Sequence, residues 1–582
     1  MAKIKSMMQE GRNGSPRAKR RGAQDVSPMM AYALLLAIVI FGAVLAGMVY
    51  KGMSYYGNDF AYESFTPSIL HGTFTENAGI FSIRPMLLYP LAFFVYVFGY
   101  TNLAAGAYSY VCYLGLIVLT YLIGKEVYSR RAGLLGALLF AIYPIALKYS
   151  SDAISMEPLA FWLVLSMLFF IYARKSNKAR YYLASGALTF VAALINPLAF
   201  IYALFFVFYI VATAIIDVYT GKSPRINYTP FLYLLGLFTA VIVMGFINLS
   251  LAANGQPFYE FSLTGSYYSA AGKPDTIYYT NSDIWFYFNE FFPYRAYLIP
   301  YDILTLNFGA ASAYAGNVYG QLFNFDYINL NDVGFFSYFI VAFGLYLLFT
   351  RERKSYFVLL WAAFIMGYLE FGTMSFNITH YFPIYRLMKF SIIVAVPLML
   401  LIGIGLAKLY EGSFRNRRVL WLGIIALLFI FLFGTTIEMD YYYYIVNHNT
   451  VLFDRIIGEY LGKIPDLSQA NIYGSALTPY YAQYFMGYVR TQSFQQYSNG
   501  DIYGGISVPE CSDIPNNTYL IIPTLQNISI INSFNIWSIN EKWAYDPSLC
   551  GLTLYVNVYD NASVRGLEPI WGAYTGNIYY KG

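Results

Sequence analysis

Long apolar runs separated by short basic turns set the pattern of this chain. A membrane-crossing helix needs roughly 20 mostly apolar residues, and about eleven runs of that kind can be marked, some short or broken. The first, Met29 to Tyr50, is too long for a signal-peptide core and lacks a small-residue cleavage site, so it reads as a retained anchor. Leu183 to Ile216 divides into two short spans that meet near Asn196 and Pro197.

Other stretches break that pattern. The run from Arg84 to Tyr100, RPMLLYPLAFFVYVFGY, is apolar, but it opens on Arg-Pro and contains Pro90. It reads as a helix lying on the membrane surface. The segment from Ala252 to Asp332 is rich in Tyr, Asn and Gly, a composition suited to folding against the bilayer surface. From Glu438 onward come short alternating runs, ANIYGSAL, TYLIIPTL and LTLYVNVYD, separated by Pro, Asn, Asp and Gly, which read as strands and turns. The run TVLFDRIIGEYLGKI has helical apolar spacing.

Charge then fixes the orientation. The head holds Lys3, Lys5, Arg12, Arg17, Lys19, Arg20 and Arg21, and the turns KEVYSRR, RKSNKAR, DVYTGKSPR, RERK and KLYEGSFRNRR fall on the same side if the spans alternate. That side carries 23 of the 36 Lys and Arg but 6 of the 31 Asp and Glu, a balance of +17 against −12 on the other. By the positive-inside rule the basic side is cytoplasmic. With 58% hydrophobic and 12% charged residues the chain is excluded from the soluble class, and its basic excess is a topology signal with no sign of nucleic-acid binding.

The expected fold class is a polytopic α-helical membrane protein carrying a small extracytoplasmic α/β or β-rich C-terminal domain. Residues 1–28 form a basic cytoplasmic head, 29–437 the transmembrane domain with large outer loops at 51–101 and 252–332, and 438–582 the outer domain. Cys511 and Cys550 both fall in that domain, as a disulfide or as two buried thiols. Sequons at Asn516, Asn527 and Asn561 are exposed to glycosylation on this side.

The candidate chemistry lies in the outer loops. Asp59 and Glu63 stand in an otherwise aromatic stretch, YYGNDFAYESFTPSILHG, and Asp152 and Glu157 stand at the next outer turn. Carboxylates close to hydrocarbon are costly and mark functional candidates. Asp59 and Glu157 are the oxygen ligands for a divalent cation, if one is used, and a general base for a hydroxyl or amide acceptor. The bland alternative makes Glu63 and Asp152 solvated loop charges and Glu157 a helix N-terminal acid favoured by the dipole. Arg84, Lys148, Arg386 and Lys389 are cations placed to hold a lipid-linked phosphate, with headgroup snorkelling as the alternative. His71 and His380 lie on the same side, and no His-rich or CxxC metal cage is present in the sequence.

Taken in order, NDFAY, ILHGTF, RPMLLYPLAFFVYVFG, RRAGLLGALLFAIYPIALKYSSDAISMEP and THYFPIYRLMKFSIIVAVPLMLLIGIGLAKL resemble the GT-C membrane glycosyltransferases of the protein O-mannosyltransferase and aminoarabinose transferase type. The resemblance covers the first 200 residues best. It implies a polyprenyl-phosphate sugar donor entering from membrane lipid, and inverting transfer to a protein, lipid or glycan acceptor on the outer face. It also implies a first-loop acid as base, often in an Asp-Glu pair before a Tyr. Here the pair reads Asn58-Asp59 with Tyr62 following, so Asp59 takes the base's place, Glu157-Pro158 matches the later acid-Pro, and Arg84 begins the surface helix. The Trp-Trp-Asp-Tyr-Gly signature of oligosaccharyltransferases is absent. A non-catalytic glycan-binding relative and a lipid-linked sugar transporter are the competing readings.

Overall fold

The structure, a computed structural model, describes residues 26–50, 52, 59–74, 82–219, 229–250, 336–372, 384, 388–411, 426, 429, 461, 470–474, 484, 493–496, 514–525, 551–559 and 574–582. Its helices are α1 (Pro28–Met48), α2 (Asp59–Leu70), α3 (Pro85–Phe98), α4 (Asn102–Val127), α5 (Arg130–Ala141), α6 (Pro144–Tyr149), α7 (Met156–Ser176) and α8 (Ala179–Ala193). They continue as α9 (Phe200–Tyr219), α10 (Leu232–Ser250), α11 (Phe336–Phe349), α12 (Tyr356–Phe371) and α13 (Ile392–Glu411). Among the described residues seven helical segments are long and apolar enough to cross a membrane: Pro28–Met48, Asn102–Val127, Met156–Ser176, Pro197–Ile216, Thr229–Ile247, Arg353–Phe371 and Lys389–Glu411. The protein is an integral membrane protein of helical architecture.

Local sequence explains where these helices begin. Ser27 accepts from the Met30 amide ahead of Pro28, Thr101 accepts from Ala104, and Ser129 accepts from Ala132, so each cap satisfies a free N-terminal donor. The basic turn before α5 follows the C-terminus of α4 directly, and the expected returning span is built as α5 and α6, broken at Tyr143-Pro144. Proline at the first position of α6 ends the preceding ladder. The break expected near Asn196 and Pro197 is present: α8 stops at Ala193, a single 3-10 turn covers Pro197–Ala199, and α9 follows.

Every residue of α13 from Ile392 to Ala407 is buried, which makes it the axis of the bundle. It packs on α5, α11, α12 and α7. Gly403 permits the contact with α5, because a Cβ there would stand 2.7 Å from the Gly136 nitrogen. Small residues are what allow helices to approach closely in lipid, where no hydrophobic force joins them. By contrast α1 presents Leu36, Ile40, Val44 and Met48 outward, as a lipid-facing span should.

Five strands form one mixed sheet in the tail: β1 (Asn471–Gly474), β2 (Ser493–Gln496), β3 (Thr518–Leu525), β4 (Thr553–Tyr559) and β5 (Tyr574–Lys581), in the order β2-β1-β3-β5-β4. β1 pairs parallel to β2 and β3, while β5 pairs antiparallel to β3 and β4. The strands expected at ANIYGSAL, TYLIIPTL and LTLYVNVYD coincide with β1, β3 and β4. Most of the expected helix TVLFDRIIGEYLGKI, the loop at 252–332, the eleventh span, Cys511 and Cys550 lie outside the described residues.

Candidate functional site

The candidate site gathers at the end of the bundle that the charge pattern assigns to the outside. Here α1, α8 and α12 end and α4 and α7 begin. Arg84 precedes Pro85, and a residue in that position is driven out of helical backbone. It has φ −120° and serves as the N-cap of α3 without a side-chain cap bond. Its guanidinium turns inward instead, is 8% exposed, donates from Nη1 to the Tyr62 hydroxyl, and lies 5.3 Å from the Tyr62 ring centroid.

The same nitrogen donates to Ser155 Oγ at 3.4 Å. Ser155 stands at the N-cap of α7 in a helical conformation, which leaves its hydroxyl with no cap bond. Asn196 Nδ2 also donates to that oxygen at 3.4 Å. The Asn196 Oδ1 is committed to the Leu198 amide at 3.0 Å, which fixes the amide with its donors toward Ser155. One polar chain thus ties α2, the start of α3, the start of α7 and the α8–α9 break.

Around this chain three carboxylates are buried. Glu63 and Glu157 are 0% exposed and Asp152 is 2% exposed. The alternative that Glu63 and Asp152 are solvated loop charges is therefore corrected: the packing of α2 and of the second outer turn removes both from solvent. Asp152 lies in a two-residue parallel bridge with Gly52, and the Ala153 amide donates to the Gly52 carbonyl at 3.2 Å. Gly52 has φ +72°, and a Cβ on it would stand 2.2 Å from Asn102 Oδ1, so this position requires glycine.

Tyr50 connects the acids. Its hydroxyl donates to the Leu103 carbonyl at 2.5 Å. Burial pushes the phenol well above its ordinary value, and the neighbouring Glu63, Tyr110 and Asp152 add to the shift. From the tail, Tyr484 donates to the Thr101 carbonyl at 2.9 Å and packs edge-on against Tyr100. Its phenol is raised by burial first and then by Glu63, Tyr50 and Tyr100.

The remaining expected residues fall as follows. Asp59 is the first residue of α2, one turn before Glu63, and its side chain lies outside the described residues. Glu157 occupies the first turn of α7. Lys148, at the end of α6, lies 5.4 Å from the Tyr149 ring centroid. The 3-10 turn Met388–Ser391, which carries Lys389, packs on α6. His71 is exposed in the turn after α2, and His380 and Arg386 lie outside the described residues. Sequence reasoning missed Tyr50, Ser155, Asn196, Tyr484 and Glu370. Asn196 had a signal in the break it precedes. Glu370, 1% exposed at the end of α12, was the one acid in its run.

A family model described as dolichyl-phosphate-mannose-protein mannosyltransferase matches residues 83–247. No curated protein matches the chain by sequence. Among solved structures, the Archaeoglobus fulgidus oligosaccharyltransferase tethered with an acceptor peptide containing the NVT sequon shares 14% identity. That match covers 96% of this chain and 74% of the other, with a TM-score of 0.55. ArnT from Cupriavidus metallidurans in the apo state shares 12% identity over 94% and 98% of the two chains, with a TM-score of 0.50. The A. fulgidus enzyme in its complex with Zn and sulfate matches at 16% identity over 78% of this chain, with a TM-score of 0.48. This chain spans only 61% of that structure's length. The membrane domain described above has the fold of the GT-C glycosyltransferases.

Proposed function

We propose that the protein is a membrane glycosyltransferase that takes a sugar from a polyprenyl-phosphate donor and transfers it, with inversion, to a protein, lipid or glycan acceptor on the outer face. One observation carries this reading: a buried guanidinium, held by Tyr62 and Ser155, shares a helix-end cluster with buried Glu63, Asp152 and Glu157. Charges are kept at such a place only when they are used or paired. The matched family segment and the likeness to ArnT support it.

In this reading Arg84 holds the donor phosphate, for which a guanidinium fork is the best-suited cation. Lys148 and Lys389, from two segments that pack together, are the next candidates for that charge. The exposed rings of α3, Tyr89, Phe93 and Tyr96, meet the lipid that delivers the donor. Asp59 takes the proton of the acceptor as its oxygen or nitrogen attacks the anomeric carbon. The bond from that carbon to the phosphate oxygen breaks, its electron pair stays on the phosphate, and Arg84 stabilises the charge that develops.

If the reaction uses a divalent cation, Asp59 and Glu157 would be its ligands, since they offer the hard oxygens such ions take. Among the described residues no three His, Cys, Asp or Glu gather as a cage.

The test is consumption of a panel of polyprenyl-phosphate sugars by purified protein in nanodiscs, followed by mass spectrometry. Wild type is expected to consume at least one donor, and Asp59→Asn to lose that activity while remaining folded. Equal consumption by the variant would move the base to Glu63, Asp152 or Glu157. No consumption by wild type across donors and acceptors would overturn the enzyme.

A further inference from the structure

Proline at position 90 leaves a gap in α3 that a second helix fills. In an α-helix the carbonyl of residue 86 accepts from the amide of residue 90, and Pro90 has no amide hydrogen to give. The Tyr108 hydroxyl of α4 donates to the Met86 carbonyl instead, at 3.2 Å. That hydroxyl also accepts from Trp162 Nε1 of α7 at 3.1 Å, which holds its oxygen and leaves its proton for Met86. Prolines persist in membrane helices where a neighbour satisfies the freed carbonyl in this way. The buried Tyr108 ring stacks on Phe94 as well, with centroids 6.4 Å apart and planes at 29°. Met86 precedes the proline and Phe94 follows it, so one side chain grips both halves of α3.

This grip lies beside the buried cation. Arg84 is the N-cap of α3, and the Leu87 and Leu88 amides both donate to its carbonyl at 2.9 Å. Met86 thus belongs to the turn that sets where the Arg84 backbone stands. The opposite face of α3 exposes Tyr89, Phe93 and Tyr96, and lipid on that side has no donor to offer in place of the missing amide. We propose that Tyr108, held by Trp162, is a positioning residue for Arg84: its hydroxyl replaces the amide that Pro90 lacks and fixes the turn from which the guanidinium reaches inward. Its meaning for the donor phosphate rests on the transferase reading, while the pin on Met86 stands on geometry alone.

The experiment is a double-mutant cycle on full-length protein in nanodiscs, with Tyr108→Phe, Pro90→Ala and both together. Tyr108→Phe keeps the ring and removes the hydroxyl, and Pro90→Ala returns the amide. Hydrogen exchange in the first turn of α3, read by mass spectrometry, is expected to be roughly threefold faster or more in Tyr108→Phe. The double variant is expected to exchange at the Pro90→Ala rate, because the backbone again serves Met86. Unchanged exchange in Tyr108→Phe, or equal acceleration with and without Pro90, would overturn the pin. If Tyr108→Phe is not monodisperse by size-exclusion chromatography, Trp162→Phe takes its place in the cycle with the same expected direction. Where a donor has been found, Tyr108→Phe is expected to raise the donor KM severalfold and the double variant to regain the KM of Pro90→Ala. Loss of folded protein alone would lower kcat and leave KM unchanged. An unchanged donor KM beside accelerated exchange would overturn the positioning of Arg84. If wild type consumes no donor, the transferase reading fails while the exchange cycle still decides the pin.

Discussion

Arg84 is the residue on which the outer cluster turns. Its hydrogen bonds to Tyr62 and Ser155 both leave from Nη1, and its burial leaves little water to replace them. A lysine keeps the charge but offers one rotating ammonium in place of the fork. Hydrogen bonds involving a charged partner contribute about 1.5–3 kcal/mol each, and about 1.4 kcal/mol is tenfold in rate. Arg84→Lys is therefore expected to lower donor consumption roughly 10-fold to 100-fold, read as kcat/KM, with an unchanged elution profile. A change below twofold would remove Arg84 from the phosphate site. The buried phenols make a separate prediction. The folded values of Tyr50 and Tyr484 are raised, so the native state holds protons that the unfolded chain gives up near pH 10. Their contribution is fully present below that pH and is lost as pH rises beyond it. Thermal stability in detergent should fall from about pH 10 upward, and Tyr484→Phe should flatten the fall. An equal slope in both proteins would detach Tyr484 from it. The acids of this cluster were visible in the sequence because charge is rare in so apolar a chain. Tyr50 and Tyr484 were not, since each is one of 61 tyrosines and only the fold singles it out.

Helices in this bundle are joined by close approach and by hydroxyl bonds. Between α7, α8 and α10, Ser166 Oγ donates to the Ser185 carbonyl at 2.7 Å, Thr189 lies 2.8 Å from Ser166, and the Tyr233 hydroxyl donates to Thr189 at 3.0 Å. Gly186 and Gly236 let α8 and α10 come near enough, for a Cβ at Gly186 would stand 2.1 Å from the Tyr233 carbonyl oxygen. Because that atom is backbone, Gly186→Ala must push the helices apart. Overpacking of this kind costs about 1–3 kcal/mol, and the network would lose geometry as well. The variant is expected to melt several degrees lower than wild type in detergent, and an unchanged Tm would show that α8 and α10 relax freely. The helices themselves were legible as apolar runs, and Asn196-Pro197 marked a break that the fold keeps. The break at Tyr143-Pro144 was hidden inside one continuous apolar run. In the tail, alternation revealed β1, β3 and β4, but β2 is the polar string SFQQ, and only pairing with β1 makes it a strand.

At the scale of the whole molecule, the transferase proposal depends on which end of the bundle faces outward. The case rests on charge, +17 in the head and turns against −12 in the long loops and tail. The fold agrees in one respect: the basic turn at Arg174 to Arg180 and the cluster of Arg84, Glu63 and Asp152 lie at opposite ends of α7, since Ser155 caps its start and the turn follows Ser176. The two faces can therefore be told apart by single thiols. In a background with Cys112, Cys511 and Cys550 replaced, Ser176→Cys and Asn516→Cys both place an exposed thiol, one on the basic turn and one before β3. A membrane-impermeant maleimide added to intact cells is expected to label the Asn516→Cys protein and to label the Ser176→Cys protein only after permeabilisation. The reverse pattern would put the carboxylates, Arg84 and the tail on the cytoplasmic side. There the proposed transfer on the outer face would fail, and the transporter reading would have to be taken up in its place.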